Sequence, residues 1–166
     1  MIGLLEAICR RSAYLALLQQ YPHALARVVE LVSASSWAAN YVTRHPLLLD
    51  ELLDQRLLDT ATDFDVYRED LDRALREADG DTEVEMNILR EMHHAQLFRL
   101  LIQDLAGLHS LERISDFLSE LADIIVDRTI KLVWQKLNKR HTETPHFAVI
   151  GYGKLGGKEL GYGSDL

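Results

Sequence analysis

From Ile2 to Arg140 apolar residues recur at every third or fourth position, the spacing that lines one face of an α-helix, and the breaks fall where helix punctuation belongs. Ser12 is placed to cap AYLALLQQ, and Pro22 pre-sets the backbone of the first turn of the next segment. Ser35 or Ser36 opens a short helix through Trp37 and Tyr41, and Pro46 opens LLLDELL. Asp63 precedes a helix over roughly 66–78, which Gly80 ends. Asp81 then caps TEVEMNILREMHHAQLFRLLIQDLA, which Gly107 stops. Ser110 or Ser115 begins the last helix, FLSELADIIVDRTIKLVWQKLNKR, with an apolar stripe at Leu118, Leu121, Ile125 and Leu132. At about 25 residues and ~1.5 Å per residue, these two last helices are each nearly 40 Å long and suit an antiparallel pair across the turn at 107–110.

The pattern changes at His141. TETP reads as a linker, and HFAVIG is a β-branched and aromatic run of the kind that makes a short buried strand. Six of the nine glycines follow, between Gly151 and Gly163, so the chain divides by pattern into an all-α bundle over 1–140 and the opening strand and glycine loop of another domain over 141–166. No internal repeat or low-complexity tract is present. Trp37 and Trp134 read as core, and His93 and His94 as surface and groove residues of the first long helix.

Charge narrows the function. The formal net charge of -8 argues against a general affinity for nucleic acid or anionic membrane, because no excess of cations is available to neutralise phosphates. The balance is uneven, however: residues 1–127 carry 11 Lys/Arg against 23 Asp/Glu, whereas 128–166 carry 7 against 3, which suits an anionic ligand at the glycine-rich end. Cys9 is the only cysteine, so no intrachain disulfide forms and a cytoplasmic location is expected. The start MIGLLEAICRR lacks the charged region and apolar length of a secretory signal, and no apolar run approaches the ~18 residues of a membrane span.

Several motifs compete for the chemistry. Glu91 and His94 have the Glu-x-x-His spacing of a carboxylate-bridged metal pair, but the other such pair, Glu143 and His146, contains Pro145 and does not suit a helix. Gly151-Tyr-Gly153-Lys-Leu-Gly156 matches the dinucleotide fingerprint literally, which makes a dinucleotide-binding fold one reading, although such a unit continues through a helix and second strand to an acidic residue ~20 positions on. A Walker A loop fails twice, since Tyr152 stands where its first glycine belongs and Glu159 follows Lys158. The third reading is a nucleotidyl-transfer loop. Glycines let backbone N–H groups approach phosphates, a lysine adds charge, a hydroxyl such as that of Ser164 can donate to a phosphate oxygen, and Asp-x-Asp carboxylates on one strand face can hold Mg²⁺ against a triphosphate.

The run GYGKLGGKELGYGSDL resembles the active-site motif of the glutamine synthetase adenylyltransferase and adenylyl-removing enzymes of bacterial nitrogen control. RSAYLALLQQYP, SASSWAANYVTRHPLLLDELLD and HHAQLFRLLIQDLAG look like the helical region that precedes the second, C-terminal catalytic copy in that family. The resemblance implies a mainly α chain leading into a polymerase-β-like nucleotidyltransferase α/β domain, with ATP as substrate, Mg²⁺ as cofactor, glutamine synthetase as partner and a nitrogen-signalling regulatory protein as a possible second one. It assigns Asp165 as the catalytic, Mg²⁺-binding first carboxylate, and Gly151, Gly153, Lys154, Gly156, Gly157 and Ser164 as the nucleotide loop. Gly163 stands where relatives often have serine, and the second aspartate of the pattern would be residue 167.

The expectation is therefore a segment of a longer nucleotidyltransferase, inactive by itself because one carboxylate cannot clamp both attacking and leaving oxygens. A helical module that docks glutamine synthetase or a signalling protein is the alternative, and a dinucleotide-binding enzyme the weaker one.

Overall fold

The computed structural model describes residues 16, 18–53 and 62–164; residues 16 and 18–20 are helical, and Pro22 opens the next helix. The Ser12 cap, Cys9 and Asp165 lie outside the described residues. The elements are α1 (Pro22–Ala34), α2 (Ser36–Arg44), a 3₁₀ helix (Pro46–Leu53), α3 (Phe64–Glu77), α4 (Thr82–Leu105), α5 (Leu111–Lys136) and a single turn, α6 (Gly153–Gly156). Among the described residues no strand forms, so the chain is mainly helical and the strand expected at HFAVIG is absent. A strand needs a neighbour for its N–H and C=O groups, and none of the described segments supplies one.

The chain groups into two units. The first takes in the described part of 1–61 with Phe98–Leu108. Ala24, Val28 and Leu31 of α1 face Ala38 and Val42 of α2 and Leu48, Leu49 and Leu52 of the 3₁₀ helix, and these three elements pack on one another. Ser35 closes α1 and opens α2, its Oγ accepting from the Ala38 N–H at 3.2 Å. Arg27 Nη1 donates to the Leu52 carbonyl at 3.2 Å, which ties the end of the 3₁₀ helix to α1. Phe98, Leu100, Leu101 and Ile102 add buried apolar bulk, and Arg99 pairs with Glu51 at 2.6 Å. Pro46 opens a 3₁₀ helix where the apolar pattern suggests an α-helix. Trp37 is only half-buried, stacked on Tyr41 with ring centroids 4.8 Å apart, rather than a core residue.

The second unit holds 62–97 and 109–164. Asp63 caps α3, its Oδ1 accepting from the N–H groups of Asp65 at 2.9 Å and Val66 at 3.2 Å, and Phe64, Tyr67 and Leu71 form the buried face. Left-handed Asp79 and Gly80 turn the chain, and Asp81 caps α4 through the N–H groups of Glu83 and Val84. Ser110, and not Ser115, caps α5. Phe64 meets Phe117 at 5.8 Å, Arg68 reaches Glu120 at 2.8 Å and Asp72 pairs with Arg128. These partners advance together along the sequence, so α3 and α5 run parallel. Lys136, at the end of α5, binds the Gly80 carbonyl at 2.9 Å, Thr82 Oγ1 at 2.7 Å and the buried carboxylate of Glu85, which places the end of α5 at the start of α4. That is the antiparallel sense expected of the two long helices.

Burial along α5 stops partway. Ile114, Phe117, Leu118, Leu121, Ala122 and Ile124 are buried, but no residue from Ile125 to Lys136 is, so Ile125 and Leu132 of the predicted stripe are only half-covered. What lies over this half of the helix is the C-terminal segment.

Candidate functional site

Residues 141–164 run back along α5. Trp134 gathers the start of the segment: its indole Nε1–H donates to the Thr142 carbonyl at 3.3 Å, and its ring meets His141 edge-on at 5.5 Å and Phe147 at 6.1 Å. Thr142 Oγ1 donates to the Thr144 carbonyl at 2.6 Å, which tightens the linker. Beyond it, Phe147 and Val149 line a cleft against α5 yet stay 57% and 58% exposed, and Ile150 and Tyr152 are 71% and 83% exposed.

The glycine loop is a tight turn built by two positions. Gly153 has φ +62, the left-handed region in which a Cβ is strained. Gly156 lies against the Gly151 carbonyl oxygen, only 2.3 Å from where a Cβ would stand, so no side chain fits there. The Gly157 N–H then donates to the Gly153 carbonyl at 2.9 Å, and the Glu159 N–H to the Lys154 carbonyl at 2.7 Å. Four of the residues the sequence assigned to nucleotide binding, Gly151, Gly153, Gly156 and Gly157, are thus brought into one turn. Lys154 is part of it, with its side chain exposed.

Ser164 belongs to the next turn. Its N–H donates to the Gly161 carbonyl at 3.0 Å and its Oγ accepts from the Gly161 N–H at 3.1 Å. The hydroxyl hydrogen is not used by that contact. Asp165, the one carboxylate assigned to Mg²⁺, is outside the described residues, and among those described no three His, Cys, Asp or Glu side chains converge on a metal position. The described residues therefore do not by themselves form a metal site.

The cleft between the segment and α5 has a volume of about 810 Å³. Gly151, Gly156 and Lys158 line one wall, and Asp123, Asp127 and Lys131 the other. Burial alone would push the Asp127 carboxyl up, but Lys131, at 2.8 Å, and Arg128 outweigh it and hold the carboxyl below its ordinary value. On the α5 wall Asp127 is thus paired with its own helix's cations, while Lys158 stands on the loop wall. The pattern of the sequence missed the part α5 plays here: Trp134 is half-buried against the segment rather than in the core, and Ser115, no cap, directs its Oγ at the Leu160 carbonyl at 3.4 Å. A tryptophan placed off the apolar stripe of its own helix was the available signal.

Comparison with known proteins bears directly on this segment. The family model for glutamate-ammonia ligase adenylyltransferase matches residues 25–166, from α1 through the glycine loop. The bifunctional glutamine synthetase adenylyltransferase/adenylyl-removing enzyme of Aromatoleum aromaticum is 59% identical over 165 residues, which cover 99% of this chain and 18% of that protein. The enzymes of the same description from Chromobacterium violaceum and Neisseria meningitidis serogroup B are 55% and 51% identical, over 99% and 100% of this chain and again 18% of each relative.

The matching family is one of adenylyltransferases. The chain belongs to the glutamate-ammonia ligase adenylyltransferase family. It spans about 18% of the length of the curated relatives it matches. This match sets aside the dinucleotide reading of Gly151–Gly156.

Proposed function

We propose that this chain is the helical approach and nucleotide loop of an enzyme that transfers AMP from ATP to a tyrosine of glutamine synthetase and removes it again. The observation that carries the reading is that the family match runs through a loop in which Gly153 and Gly156 occupy positions that favour or admit only glycine. Such a turn brings backbone N–H groups within reach of a triphosphate, and Lys154 adds an unhindered cation beside it. Ser164 holds its turn by accepting from Gly161 and keeps a hydroxyl hydrogen for a phosphate oxygen.

In the forward reaction the tyrosine oxygen attacks the α-phosphorus, the bond from that phosphorus to the bridging oxygen breaks, and pyrophosphate leaves. The reading includes Mg²⁺ at Asp165, with a catalytic domain that begins near 141 and follows the helical domain over 1–140. Within that domain 146–151 pairs as a strand once a neighbouring segment supplies a partner for its N–H and C=O groups. Glutamine synthetase is the partner the relatives' names give, a nitrogen-signalling protein a regulator in this reading, and the cytoplasm the location. Among the described residues no helix is long and apolar enough to cross a membrane.

The test is Asp165→Asn in the full-length gene product, read as AMP incorporated into glutamine synthetase. Asn keeps the size of Asp but loses the anionic oxygens, so turnover is expected to fall by about 100-fold or more. Lys154→Ala is expected to act less and through ATP affinity. Unchanged turnover with Asp165→Asn removes that carboxylate from the site.

A further inference from the structure

We propose that α5 is a splint for the glycine loop and that Trp134 is a positioning residue for nucleotide binding, an inference that rests on the nucleotidyltransferase reading above. The loop is fastened to one helix on both sides. Before it, Trp134 holds Thr142 by a hydrogen bond and His141 and Phe147 by ring contacts. After it, Leu160 is buried at 6% exposure and its carbonyl accepts from Ser115 Oγ. The two anchors lie 19 residues apart on α5, or about 28 Å at 1.5 Å per residue, and the turn from Gly151 to Gly157 is strung between them.

Trp134 makes these contacts in the half of α5 where no residue is buried, so the core of the unit does not need it. Its apolar partners come from the segment that leads into the loop. A loop that must present several N–H groups to one triphosphate gains affinity from being held in that shape beforehand, because ordering it on binding would cost free energy. The indole supplies both a flat face for two rings and one directed N–H, and a leucine supplies neither.

The test uses Trp134→Leu and Trp134→Phe in the full-length gene product, with Lys154→Ala as reference. Trp134→Leu is expected to speed hydrogen exchange at 142–160 by about tenfold, leave exchange at 114–124 unchanged, and raise KM for Mg·ATP by about tenfold with kcat nearly kept. Trp134→Phe, which keeps a ring, should recover most of that KM. Unchanged exchange at 142–160 overturns the splint. Faster exchange with unchanged KM, while Lys154→Ala raises KM, overturns the positioning role and leaves Trp134 a cover for the helix end. If neither Trp134→Leu nor Lys154→Ala moves KM, the nucleotide reading of the loop fails, and the positioning role with it.

Discussion

His93 sits midway along α4, and burial holds its imidazole below the ordinary value of 6.5. His45 is held low too, by burial first and by the charge of Arg44 second. Between the folded value and 6.5 the unfolded chain binds more protons than the folded one, so stability is complete above 6.5 and declines as pH falls through that window. Urea unfolding at pH 7.5 and 5.5 should therefore give a lower midpoint at 5.5, and His93→Gln should shrink the difference without abolishing it, since His45 remains. An unchanged difference would remove His93 as a cause. The histidine pair was legible as groove residues of a long helix, but the depth of one ring depends on what packs around it, which periodicity does not encode. Gly153 and Gly156 were legible for the opposite reason, because the requirement for glycine is a property of the local turn.

At the scale of elements, one ammonium ties the end of α5 to the start of α4. Lys136 is the salt-bridge partner of Glu85, which is only 5% exposed, and it also binds Gly80 and Thr82. Removing the cation leaves a buried carboxylate uncompensated, a change that costs about 3–5 kcal/mol when both groups are fully buried. Because the lysine side chain is 33% exposed, water shares the load, and Lys136→Met is expected to cost about 2 kcal/mol by urea unfolding. Adding Glu85→Leu should restore much of that loss, and a double variant no more stable than Lys136→Met would show that the pair is not the source. Helix ends were the most legible elements: Asp63, Asp81, Ser35 and Ser110 cap through bonds two or three residues away, and Gly107 (φ +71) follows the end of α4 with the Leu108 N–H returning to the Gln103 carbonyl at 3.1 Å. The strand at HFAVIG was not, since a run with strand propensity becomes one only beside a partner.

At the scale of the whole chain, the C-terminal segment adds one residue, Leu160, to the described core. A chain ending at Arg140 should keep its cooperative melt by circular dichroism and lose about 2 kcal/mol, the order of one buried leucine. Broad melting of that shortened chain would instead make the segment integral to the helical core. The grouping of α4 was hidden in the sequence, because its apolar repeat runs uninterrupted through Leu97 and Phe98, where membership passes from the second unit to the first. This shared helix has a consequence for synthesis. The first unit is not contiguous, so its N-terminal helices leave the ribosome before Phe98, Leu100, Leu101 and Ile102 exist. At about 5–20 residues per second, the 47 residues from 61 to 108 take roughly 2–9 s, and for that time the nascent chain carries the apolar faces of α1, α2 and the 3₁₀ helix without their last partners.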